Sequence, residues 1–151
     1  MCMVGLGTDE AARGYNRGAE AAPTILLVDD DAAIRESFAD VLNEDGYAVT
    51  TAANGLEALE YLHSAQTLPS LILLDIMMPK MNGWQFRAAQ QVQQRLADIP
   101  VVVLSASGNL DQVAAKMGVA GFLRKPIDLN DLLAVLQRHC GLRPPPPPAA
   151  L

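Results

Sequence analysis

Four short apolar segments each run into residues able to do chemistry. Ile25-Leu26-Leu27-Val28 leads to Asp29, Asp30 and Asp31; Leu71-Ile72-Leu73-Leu74 ends on Asp75; Val101-Val102-Val103-Leu104 ends on Ser105; and Phe122-Leu123-Arg124 leads to Lys125-Pro126. Ionised Asp29, Asp30 and Asp75 carry three negative charges, of which Lys125 offsets one. Like charges about 4 Å apart repel by roughly 4 kcal/mol at an effective dielectric near 20, enough to force protonation unless a cation intervenes. The available ligand atoms are oxygens, with no His or Cys beside them and too few carboxylates for a closed calcium cage. Mg²⁺ retaining several waters suits that set.

Such a site needs elements that bring the four segment ends together. The runs at Ile25, Leu71 and Val101 are continuously apolar rather than alternating, as expected of strands buried on both faces of a parallel sheet. Weaker strands are expected at Ala48 to Ala52 and at Val119 to Leu123. Helical periodicity fills the gaps: Ile34, Phe38, Val41 and Leu42; Leu56, Leu59 and Leu62; less cleanly Trp84, Phe86 and Val92; and Leu129, Leu132, Leu133 and Leu136. Asp31, Asn54 with Glu57, and Asp128 with Asp131 read as N-caps, and Gly141 as a helix end. The strand–helix unit repeats five times, which implies an α/β fold with an open, doubly wound parallel sheet and helices on both faces. The strand with Thr50 and Thr51 is the least apolar and so belongs at an edge. Ligands in such sheets sit at the carboxyl ends of the strands, where the four segments end.

The chain has 151 residues, 50% hydrophobic, 19% charged and 5% aromatic. That is enough apolar content for one core. Three zones are visible: a Gly/Ala-rich head over residues 1–22, a dense middle over 23–142, and a tail over 143–151 with five consecutive prolines. Head and tail charges cancel, so the net charge of −6 belongs to the middle, with 8 basic and 14 acidic residues. An acidic surface repels polyphosphate, which argues against nucleic acid as a partner. No apolar run approaches the roughly 18 residues of a membrane span, and the N-terminus lacks the basic and apolar regions of a signal peptide. Two cysteines, Cys2 and Cys140, make no disulfide framework, which fits a cytoplasmic protein. The proline tail reads as a polyproline II rod.

At the four segment ends the chain resembles the receiver domain of two-component response regulators. The resemblance is carried by Ile25 to Asp31, by Leu73-Leu74-Asp75-Ile76-Met77-Met78-Pro79-Lys80-Met81-Asn82-Gly83, by Val103-Leu104-Ser105-Ala106, and by Gly121-Phe122-Leu123-Arg124-Lys125-Pro126. It covers about Thr24 to Cys140. It implies a flavodoxin-like fold with strand order 2-1-3-4-5. It also implies a phosphoacceptor signalling protein rather than an enzyme, with Asp75 taking a phosphoryl group from a phosphohistidine of a sensor histidine kinase or of a histidine phosphotransfer protein.

By the same resemblance, Asp30, Asp75 and the Met77 backbone carbonyl would ligate Mg²⁺, with Asp29 acting mainly through a water. Lys125 would pair with the incoming phosphoryl group and Ser105 would donate to it. Lys125-Pro126 would be a cis peptide that aims the amine into the site, and Pro79 and Gly83 would shape the adjoining loop. Ser105 and Phe122 would form the switch. Phe122 lacks the hydroxyl of the commoner Tyr, so its inward state would rest on packing alone. The face made by helix four, strand five and helix five, about Asn109 to His139, would receive a downstream target protein.

Each of these residues alone has a plainer reading: Asp75 as a turn, Ser105 as a strand-end hydroxyl, Lys125 as a solvated cation, Phe122 as core. Asp31 is read as a cap only. Met77, Met78 and Met81 are gap filler rather than a soft-metal site. His63 and His139 are exposed helix residues, the latter suited to a helix C-terminus. Rival chemistries fit less well. An Asp-nucleophile phosphatase wants an acid where Met77 stands, and a flavin carrier wants a phosphate loop where three acids stand. A scaffold-only receiver would lack site residues that are all present here. With ten residues after Gly141, the chain reads as a single-domain regulator signalling through a partner, with a phosphorelay intermediate as the alternative.

Overall fold

The computed structural model describes residues 22–140 apart from residue 107. The expectations for the head, the proline tail, Gly141 and Cys2 fall outside that range. Strands and helices alternate as β1 Thr24–Val28, α1 Ala32–Glu44, β2 Ala48–Ala52, α2 Gly55–Ser64, β3 Leu71–Asp75, α3 Gly83–Gln91, β4 Val101–Ser105, α4 Leu110–Met117, β5 Gly121–Arg124 and α5 Leu129–Cys140. All pairings are parallel, in the order β2-β1-β3-β4-β5. Thr50 and Thr51 therefore lie on an edge strand, as their polarity implied.

The apolar runs are continuous because alternate residues feed two separate cores. Leu26, Val28, Ile72, Leu74, Val101 and Val103 pack with Ala58, Leu59 and Leu62 of α2, Phe86 of α3 and Met117 of α4. Ile25, Leu27, Leu71, Leu73, Val102 and Leu104 face the other way, onto Leu42 of α1 and Leu132 and Leu136 of α5. With side chains alternating across a strand, each face is buried only if every position is apolar.

Caps form where the sequence marks them. The Asp31 carboxylate accepts from the Ala33 and Ile34 amides, Asn54 Oδ1 from Glu57 N–H, and Asp128 Oδ1 from Asp131 N–H. A reciprocal capping box between Asn82 and Gln85 starts α3, a signal legible as Asn-x-x-Gln but not singled out above.

Several expectations need correction. Leu56, Trp84, Val92 and Leu129 are exposed rather than core. In α3 the inward positions beside Phe86 are polar, Arg87 and Gln90. The Arg87 guanidinium donates to the carbonyls of Met117 at 3.0 Å and Gly118 at 2.6 Å and to Gln90 Oε1 at 2.7 Å. Gln90 Nε2 in turn donates to the carbonyls of Leu96 and Ile99. Strand β5 begins at Gly121, not Val119, because the Gly118 and Val119 amides close the end of α4 on Ala115 and Ala114. That pairing, with Gly118 left-handed at φ 66°, is a Schellman motif. His63 is exposed and bonded to Gln93, whereas His139 is half-buried.

Candidate phosphoacceptor site

Parallel strands put their carboxyl ends on one edge, so Asp29 after β1, Asp75 closing β3, Ser105 closing β4 and Lys125 after β5 arrive at the same rim. Side-chain oxygens of Asp29, Asp30 and Asp75 all lie within 4.8 Å of one another. Asp29 and Asp75 are buried while Asp30 is exposed. Lys125 Nζ stands 2.9 Å from Asp29 Oδ2 and 3.5 Å from Asp75 Oδ1. Asp29 is further fixed: its Oδ1 accepts from the Asp31 amide, and its main-chain carbonyl accepts from Arg35. With both oxygens engaged, it has less to offer an ion directly than Asp30 or Asp75.

Burial pushes the Asp75 carboxyl up from 3.8 to about 6, and the Asp29 charge adds to this; Lys125 and a hydrogen bond from the Met77 amide pull the other way. Burial also works against the Lys125 ammonium, but its hydrogen bond to Asp29 and the charges of Asp29 and Asp75 outweigh that and raise its pKa. The rim therefore holds more negative charge than one lysine balances. An all-oxygen donor set, part buried and part open, fits a divalent ion that keeps some water, and Asp30 and Asp75 are the residues best placed to hold it.

The remaining residues singled out by sequence are found as follows. Ser105 is buried at the end of β4, and its carbonyl accepts from the Lys125 amide. Lys125-Pro126 is cis. Phe122 lies on edge strand β5 and is 37% exposed, so it is not a core residue. Met77 is exposed, while Met78 and Met81 pack against the α2–α4 core. Gly83 starts α3 against the backbone of Asp75 itself: a Cβ there would lie 2.8 Å from both the Asp75 carbonyl oxygen and the Ile76 Cα. Sequence reasoning missed Arg35 and the Asp29 carbonyl it holds, a contact six residues apart with no motif to announce it.

A doubly wound sheet with three acids, a hydroxyl and a lysine on its carboxyl rim defines a class, the flavodoxin-like domains that gather an acidic cation site at the strand ends. The chain belongs to the response regulator receiver domain family, whose model matches residues 25–137. Among curated relatives, response regulator MprA of Mycobacterium sp. (strain KMS) is 38% identical over 112 residues, 73% of this chain and 47% of the relative. Response regulator Rre1 of Synechocystis is 38% identical over 117 residues, 76% of this chain and 50% of the relative. The chain thus spans about half the length of the curated relatives it matches.

Among solved structures, the chemotaxis protein CheY4 of Vibrio cholerae superposes with a TM-score of 0.72 at 34% identity, over 79% of this chain and 99% of that one. The receiver domain of sensor histidine kinase PA1611 of Pseudomonas aeruginosa, solved with a magnesium ion coordinated in its active-site cleft, gives 0.72 at 27% identity, over 81% and 100%. Two-component signalling is thereby established as the chain's family role. Among the described residues no helix is long and apolar enough to cross a membrane.

Proposed function

We propose that Asp75 accepts a phosphoryl group from a phosphohistidine of a sensor histidine kinase or histidine phosphotransfer protein, and that the phosphorylated domain signals by binding a target protein. The observation that carries this is the Lys125 ammonium held between Asp29 and Asp75, beside three carboxylates within 4.8 Å. Asp75 Oδ attacks phosphorus, the phosphorus–nitrogen bond of the donor breaks, and the histidine nitrogen leaves with the bonding pair. Asp30, Asp75 and the Met77 carbonyl, with Asp29 behind them, would hold Mg²⁺, which would supply positive charge against the phosphoryl oxygens.

Lys125 balances the charge that phosphorylation adds, and Ser105 donates its hydroxyl to a phosphoryl oxygen. The half-exposed Phe122 then turns inward as Ser105 is drawn to the phosphoryl group, altering the face of α4, β5 and α5 that receives the target. The protein turns over no separate substrate and in this reading is not an enzyme. It acts in the cytoplasm. The alternative, a relay intermediate, is separated by whether phosphorylated protein returns its group to a histidine phosphotransfer domain.

The test is intact-mass spectrometry after incubation with acetyl phosphate, with Mg²⁺ and with EDTA. A gain of one phosphoryl group only with Mg²⁺, and none in Asp75→Asn, is expected. No gain in the wild type, or an equal gain in Asp75→Asn, overturns the proposal.

A further inference from the structure

The loop between β3 and α3, residues 76–82, bears the Met77 amide that bonds Asp75, and it touches the first turn of α2. The Gly55 amide donates to the Met81 carbonyl at 3.0 Å. A Cβ on Gly55 would meet Met81 Cγ at 2.7 Å, the Met81 carbonyl oxygen at 2.9 Å and Met81 Cβ at 3.1 Å. Rotation of the Met81 side chain relieves only the first of these. The other two atoms move only with the main chain.

Which partner would yield is decided by anchoring. Helix α2 is held from below by buried Ala58, Leu59 and Leu62, and its start is closed by buried Asn54 on the Glu57 amide and by Glu57 on the Ala53 amide. The loop has exposed Met77, Pro79 and Lys80, with Lys80 in the left-handed region at φ 66°. A side chain at position 55 therefore displaces the loop, not the helix. At the loop's far end the Gly83 amide donates to the Ile76 carbonyl, and the space between Gly83 and the Asp75–Ile76 backbone is too small for even a Cβ. The displacement is then taken up within residues 77–82, the segment that bears Met77.

We propose that Gly55, which touches neither ion nor phosphoryl group, is a positioning residue for the acidic site: its missing side chain sets how closely α2 approaches Met81, and so where Met77 stands beside Asp75. This rests on the reading above that Mg²⁺ binds at Asp30 and Asp75 with the Met77 carbonyl. Loss of the groups that support a metal's ligands costs about ten- to a hundredfold in affinity.

The test is thermal unfolding of the full chain across a MgCl₂ series for wild type, Gly55→Ala, Met81→Ala and the double variant, with midpoint shifts converted to Mg²⁺ affinity. Gly55→Ala is expected to weaken Mg²⁺ by about tenfold, and the double variant to stay weaker than Met81→Ala, because the Met81 carbonyl oxygen and Cβ still obstruct. A Gly55→Ala protein that melts lower but keeps wild-type Mg²⁺ affinity overturns the proposal. If Gly55→Ala does not fold, the double variant decides. Mg²⁺ affinity weaker than that of Met81→Ala supports the proposal; affinity equal to that of Met81→Ala, or failure to fold, overturns it. A wild type that does not respond to Mg²⁺ at all contradicts the metal reading itself, and this proposal with it.

Discussion

Lys125 lies closer to Asp29 than to the proposed phosphoacceptor, 2.9 Å against 3.5 Å. The ammonium is thus engaged mainly by an acid that stays behind when Asp75 is modified, which leaves it in place to meet incoming charge. Removing the Asp29 charge should hand the lysine to Asp75. In Asp29→Asn the Asp75 carboxyl loses its second source of elevation and gains a nearer cation, so its pKa falls below about 6. A carbon-13 carboxyl titration of metal-free protein measures this; an unchanged or higher value contradicts the assignment of partners.

Asp75 opposes folding in the absence of metal. Its pKa is raised from 3.8 to about 6, so the destabilisation is fully present above pH 6 and is relieved as pH falls toward 4. Asp75→Asn should therefore stabilise the metal-free protein at pH 7.5 by about 1–2 kcal/mol, after allowing for the solvent that reaches the rim. The gain should vanish near pH 4 and shrink when Mg²⁺ is added to the wild type. Urea unfolding at the two pH values checks it, and an Asn variant less stable at pH 7.5 refutes it.

Arg87 is a buried cation answered by carbonyls rather than by an acid, among the described contacts. Its position at the end of α4 matches the negative pole of that helix. Arg87→Met leaves the Met117 and Gly118 carbonyls and Gln90 Oε1 without that donor, at a cost of about 3 kcal/mol. Urea midpoints with unchanged slope would confirm this. A loss under about 0.5 kcal/mol, as at an ordinary surface site, would mean the network is dispensable.

Burial pushes the half-buried Cys140 thiol up to about 11. Iodoacetamide at pH 8 should then alkylate it about a hundredfold more slowly than a free thiol, with the rate still climbing at pH 10. Peptide mapping by mass spectrometry follows Cys140 separately from Cys2. Reaction as fast as glutathione contradicts the burial of the thiol.

How much of this was legible depends on the range of the interactions. Strands β1, β3 and β4 could be read because both their faces are buried, and the acidic site because parallel strands deliver their ends to one rim. The start of β5 could not, since Val119 is as apolar as a strand residue yet its amide closes α4. Nor could the polar interior of α3: Arg87 meets Met117 and Gly118, some thirty residues away, and local periodicity assigns such side chains to solvent. Leu56, Trp84, Val92 and Leu129 fit a helical period while lying outside the packed face, because periodicity marks a stripe without fixing its width.

In the proposed mechanism Asp75, and neither of its neighbouring acids, carries the phosphoryl group. Borohydride reduction of protein treated with acetyl phosphate and Mg²⁺ converts an aspartyl phosphate to homoserine, which tandem mass spectrometry locates by residue. Homoserine at position 75 alone, absent when EDTA replaces Mg²⁺, is the predicted result. Homoserine at position 29 or 30, or at none of the three, would contradict it.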